Sequence, residues 1–95
     1  MTTQESYCLN NLLLVKHQKK IEPFNSEKIF LTIYQALDHF KDADNRASYL
    51  AQITINKIIS QTSNSQITSS TIFNIIITTL SRYDKLAAKK YLANH

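Results

Sequence analysis

Leu14-Val15-Lys16-His17-Gln18-Lys19-Lys20-Ile21-Glu22-Pro23-Phe24-Asn25-Ser26-Glu27-Lys28-Ile29 is the stretch that decides how this chain folds. Leu12 to Lys16 is short and apolar, the pattern of a strand. His17 to Lys19 turns. Lys20 to Phe24 reads as a second short strand, because Pro23 favours extended geometry just before it. Asn25 is a good N-cap, and Glu27 places a negative charge in the first helical turn, where the dipole favours one. The stretch predicts a lysine-bearing hairpin running straight into a capped helix. Two strands alone are marginal, so the hairpin must pack on the rest of the chain.

From Ile29 onward the chain reads as helical. Ile29, Phe30, Ile33, Ala36, Leu37 and Phe40 recur at three and four, one apolar stripe. His39 to Asp44 breaks that pattern. A second helix is expected over Asn45 to Gln61, carrying Tyr49, Leu50, Ile53, Ile55, Ile58 and Ile59. Thr62 to Gln66 reads as a polar loop. A third helix begins near Thr68 or Ser69 and runs to about Arg82, apolar nearly all round. Its Ile and Thr would suit a strand, but its length favours helix. Tyr83-Asp84 ends it, and a fourth helix spans Lys85 to Ala93. The expected fold is mainly α, a short β-hairpin capping a four-helix bundle over residues 12–95. Residues 1–11 read as a flexible lead-in without a signal-peptide pattern.

Composition narrows the class. The 95 residues make one domain, and 43% hydrophobic content suits a globular fold. There is no Gly and one Pro, so tight turns needing φ > 0 are expected to be rare, which argues against a hairpin-rich β fold. A single cysteine, Cys8, allows neither an internal disulfide nor a cysteine-based zinc site. A cytoplasmic location is the natural expectation. No segment is long and apolar enough to span a bilayer. The net charge of +4 suits an anionic partner. The densest basic cluster is Lys16, Lys19 and Lys20, and a smaller one is Lys85, Lys89 and Lys90.

Catalysis finds no support. The seven acidic residues form no motif. His17, His39 and His95 lack metal-ligand spacing, and no Gly-rich phosphate loop is possible. Neither a catalytic nor a metal site is expected. A binding site is easier to build. A helix start presents N–H groups and partial positive charge to a phosphate. Lys28 lies in the first turn after Asn25, where a cation is unfavourable unless an anion is near. Lys16 and Lys19 approach from the hairpin. Together these could neutralise a triphosphate, with Mg²⁺ bridging its oxygens, while Glu22 and Asn25 face sugar hydroxyls or an adenine edge. The bland alternative is a surface hairpin with solvated lysines, and the residues alone leave both open.

Three blocks resemble the ATP-cone, a small domain that senses ATP and dATP in ribonucleotide reductases. Leu14-Val15-Lys16-His17-Gln18-Lys19 followed by Pro23 to Ile29 is similar to its hydrophobic-x-Lys-Arg-Asp/Asn-Gly and Phe-Asp/Asn-x-x-Lys-Ile opening. Gln66 to Ile72 looks like the start of its third helix, and Tyr83 to Tyr91 like its closing helix. The resemblance implies ATP or dATP with Mg²⁺ held between hairpin and helices. It implies Lys16 and Lys28 on phosphates, Glu22 and Asn25 toward base or ribose, Leu14 on the adenine, and Ser69 lining the same pocket. His17 and Lys19 complete the candidate site, but they depart from the pattern. The family's Arg is His17 here, its acidic turn residue is Gln18, and its turn Gly is Lys19, which would meet strain at φ > 0. The implied role is non-catalytic, allosteric control of ribonucleotide reductase or its assembly, with a reductase subunit or a second copy as partner. The alternative is a degenerate cone that binds only protein. The related transcriptional repressors place a four-cysteine zinc ribbon before the cone. With one cysteine that arrangement is not expected here, and basic charge alone argues only weakly for nucleic acid.

Overall fold

The computed structural model describes residues 13–94; the expected lead-in over residues 1–11, and Leu12, lie outside them. The order of elements is β1 (Leu14–His17), β2 (Lys20–Pro23), α1 (Ser26–Ala36), α2 (Ala43–Gln61), β3 (Gln66–Thr68), α3 (Ser69–Tyr83) and α4 (Lys85–Asn94). The mainly helical fold with its hairpin is as the sequence predicts. The sheet differs in having a third strand, with order β2-β1-β3. β1 pairs antiparallel with β2 and parallel with β3, so that Lys16 lies between Ile21 and Thr68. The segment expected as a loop therefore ends in a strand. Ile67 is buried there beside Val15, which packs on the core.

Turns that usually call for glycine are made without it. His17 pairs with Lys20, so His17 belongs to the strand and the turn narrows to Gln18-Lys19. Gln18 has φ 55, whereas Lys19 is not at positive φ. Strain in this turn therefore falls on Gln18, one residue before the position expected. A positive φ at only the first central residue is the type II′ pattern. Asn64 (φ 53) and Ser65 (φ 60) form a second such turn. Ser63 and Gln66 exchange backbone N–H···O bonds of 3.0 Å across it, the type I′ arrangement with both central residues left-handed. Sharp turns are thus commoner here than a Gly-free composition suggests.

The helices follow their caps. The Asn25 carboxamide oxygen accepts from the N–H of Glu27 at 3.0 Å and of Lys28 at 3.3 Å, which starts α1. Ile29, Ile33, Ala36 and Leu37 are buried along it, with Phe30 and Phe40 packed at the edge. The helix stops at Ala36 and does not extend through the whole stripe. α2 begins two residues earlier than expected, and of its large apolar residues only Leu50 and Ile58 are buried, with Ile53 and Ile55 packed at the edge of the core. Ala43, Ala47, Leu50, Ala51, Thr54 and Ile58 point inward, while Tyr49 is 63% and Ile59 40% exposed. The inward set has helical spacing, but its members are mostly small, and small side chains let helix axes approach closely. Thr54 and Thr79 are buried because each hydroxyl donates to the carbonyl four residues back, Leu50 at 2.7 Å and Ile75 at 2.8 Å.

Asp84 both ends α3 and starts α4. Its N–H donates to the Leu80 carbonyl at 2.8 Å, and its carboxylate accepts from the Ala87 N–H at 3.0 Å. α1 packs against α2 and α4, and α3 against α2, α4, β1 and β3. The sheet therefore lies against the start of α3. Among the described residues no helix is long and apolar enough to cross a membrane.

Candidate functional site

The sequence-predicted site residues divide between the two ends of the hairpin. At the turn end, His17 closes β1 and its Nδ1 lies 2.6 Å from the Ser69 hydroxyl. β3 runs parallel to β1 and passes directly into α3, so the first residue of that helix arrives at the end of β1. Residues 52 apart are joined in this way. Lys16, Lys19 and Lys20 surround the same end, all exposed.

At the open end, Leu14 pairs with Pro23, and the Phe24 N–H donates to the Leu13 carbonyl at 2.8 Å. Asn25 and Lys28 come next, at the start of α1. Four residues of strand, about 13 Å, separate the two ends. Alternation along the strands splits the set again. Leu14 and Lys16 share a face with their partners Pro23 and Ile21. His17 and Glu22 lie on the other face, with Val15 and Lys20. Lys16 and His17 therefore meet one anion only at the turn end, where a lysine's flexible four-carbon stem reaches round.

The start of α1 offers an anion less than expected. Two of its N–H groups are already taken by Asn25, so that carboxamide oxygen is engaged as a cap. The start of α3 offers more. The Thr68 hydroxyl oxygen accepts from the Thr71 N–H at 3.2 Å and lies 3.2 Å from the Ser70 hydroxyl and 2.8 Å from that of Thr71. No acidic residue stands in this first turn. A positive helix end with a run of hydroxyls, beside a hairpin end that carries exposed lysines, is compatible with phosphate. Thr68, Ser70, Thr71 and Lys20 thus join the candidate site. Their signal is the hydroxyl run Thr68-Ser69-Ser70-Thr71 before an apolar helix, which in the sequence alone points only to a cap.

A second polar cluster, away from the hairpin, has no counterpart in the sequence expectations. It ties the α1–α2 connection to α3 and α4. The His39 Nε2 lies 2.9 Å from the Asp84 carboxylate, and its Nδ1 lies 3.1 Å from the Lys90 ammonium. An ammonium only donates, so in this arrangement Nδ1 accepts and Nε2–H donates. Lys90 also pairs with Asp38. Arg46 binds Asp42 at 2.6 Å and the Tyr83 hydroxyl at 2.8 Å, and its guanidinium lies 3.9 Å from the centre of the Phe40 ring. The bonds from Lys90 and Arg46 hold the Asp38 and Asp42 carboxyls below the ordinary aspartate range. Every member of this cluster has a partner inside it, which suits a structural clasp.

A family model described as an ATP cone domain matches residues 12–93. No curated protein matches the chain.

Proposed function

The chain belongs to the ATP-cone family, and from that we propose that it is a non-catalytic regulatory domain binding ATP or dATP. Family membership implies a nucleotide-binding regulatory role in general. The finer reading, allosteric control of ribonucleotide reductase or of its assembly, extends the resemblance in the three sequence blocks.

The observation that carries the reading is the turn end of the hairpin. There His17 meets Ser69 at 2.6 Å, beside three exposed lysines and a helix start free of acidic residues. This charge and hydroxyl pattern fits a triphosphate. Lys16 and Lys19 would neutralise phosphate oxygens, and Ser69 and His17 would donate to them. Glu22, on the face of His17, and Asn25 and Lys28 beyond it would face the remainder of an elongated ligand, whereas Leu14 points from the opposite face of the strand and would not share that surface. The nucleotide supplies no chemistry to be catalysed. It supplies differential binding energy, which shifts the domain between two arrangements and so changes how it meets a reductase subunit or a second copy.

Thermal unfolding with Mg²⁺ and ATP, dATP or GTP tests the reading. A ligand at one hundred times its dissociation constant adds about 2.7 kcal/mol, which raises Tm by roughly 10 °C or more in a domain this small. A shift with ATP or dATP but not GTP supports an adenine-nucleotide sensor. No shift with any of them would leave the alternative, a degenerate cone that binds protein. Leu31, Tyr34 and Tyr49, exposed on the helices, are the observation favouring that alternative.

A further inference from the structure

We propose that His17 makes nucleotide binding proton-linked, so that the site takes a triphosphate more tightly as pH falls. The inference rests on the nucleotide reading and adds a regulating variable to it. His17 is an exposed imidazole held at the site by one neutral partner, the Ser69 hydroxyl at 2.6 Å. A serine hydroxyl can donate or accept. It donates to a neutral ring nitrogen and accepts from a protonated one. The contact therefore positions the ring and is indifferent to its charge.

The charges that face the ring come from few places. The elements packed against β1 are β2, β3 and α3. β3 carries no charged residue, and α3 carries none before Arg82, which stands about 20 Å along the helix from Ser69. β2 brings Lys20, directly across from His17, and Glu22 on the same face. β1 itself brings Lys16 and the turn brings Lys19. No hydrogen bond joins His17 to Glu22 or to any other carboxylate of the described residues. A bound triphosphate would be the largest charge in this setting. Histidine is the side chain that ordinarily changes charge within the physiological range, so an anion arriving beside it draws a proton onto the ring. By linkage, that proton strengthens the anion's binding.

The test uses the full chain with Mg·ATP and excess Mg²⁺, which suppresses protonation of the phosphate itself. Calorimetry in two buffers of different ionisation enthalpy counts the protons taken up on binding. Wild type should take up protons and bind about five- to tenfold tighter near pH 6 than near pH 8. His17→Gln should bind without uptake and with the same affinity at both values, and His17→Arg should bind tightly at both. Imidazole NMR supplies a readout independent of affinity. The His17 titration should move to higher pH when Mg·ATP is added, while that of His39 stays in place. Binding without proton uptake, or uptake retained in His17→Gln, would overturn the proposal and leave the nucleotide reading standing. Absence of binding at every pH would remove both.

Discussion

Replacing Gln18 by glycine should stabilise the fold. Gln18 sits at φ 55 in the two-residue turn between β1 and β2, where a residue with a Cβ pays about 1–2 kcal/mol. Glycine removes that cost but loses more backbone freedom on folding, which takes back about 0.5–1 kcal/mol. The net gain is about 0.5–1 kcal/mol, or roughly 2–8 °C in Tm for a domain of this size. Lys19, which is not at positive φ, is the control. Lys19→Gly should lose about 0.5–1 kcal/mol, because there glycine adds only flexibility. Circular dichroism during urea and thermal unfolding measures both variants, and unchanged m values would show that the surface exposed on unfolding is the same in both. If Lys19→Gly proves the more stable of the two, the strain lies at Lys19 and the assigned turn is wrong.

The second turn, the core and the polar clasp each carry an expectation of their own. Ser65→Gly should gain a similar 0.5–1 kcal/mol, about as much as at Gln18, because Ser65 has φ 60 behind an Asn at φ 53; a loss in urea titration would argue against a type I′ turn. Ile33→Ala removes a side chain with 0% exposure and should cost about 2–5 kcal/mol, seen as a lower urea midpoint; a cost below about 1 kcal/mol would mean that the core between α1 and its neighbours is loose. In the clasp, the Asp38 and Asp42 carboxyls are held low by Lys90 and Arg46, so their contribution is present above the ordinary aspartate value near pH 4 and is lost as pH falls through the lower folded values. An Asp38→Asn/Asp42→Asn double variant should melt below wild type at neutral pH and match it near pH 2. A gap that persists in acid would show that charge is not what these side chains contribute.

The hairpin and the start of α1 were legible because their signals are local. Pro23, Asn25 and Glu27 act on their immediate neighbours, and the cap at Asn25 forms as expected. β3 was hidden because it is three residues long with polar Gln66 and Thr68 around one buried Ile67. Only the long-range pairing with β1 makes it a strand. The inward face of α2 is not legible from its large apolar residues alone, because Ala43, Ala47, Ala51 and Thr54 share the packing with Leu50 and Ile58. At the site, the lysine cluster could be read from the chain but its division between two ends could not, since the register of β1 against β2 decides it. The contacts of His17 with Ser69 and of Lys90 with Asp38 each join residues 52 apart, and no spacing rule anticipates them.

Thr68 has two duties at once, as the last residue of β3 and as the cap of α3. Its backbone is registered against Lys16, and its side chain secures the first turn of the helix. The two elements therefore share a bearing. A displacement of β1 along its axis would strain its three-residue pairing with β3, the Thr68 cap of α3, or both. The hairpin thus borders a helix that packs on both α2 and α4, and Thr68 is the residue through which sheet and bundle are joined.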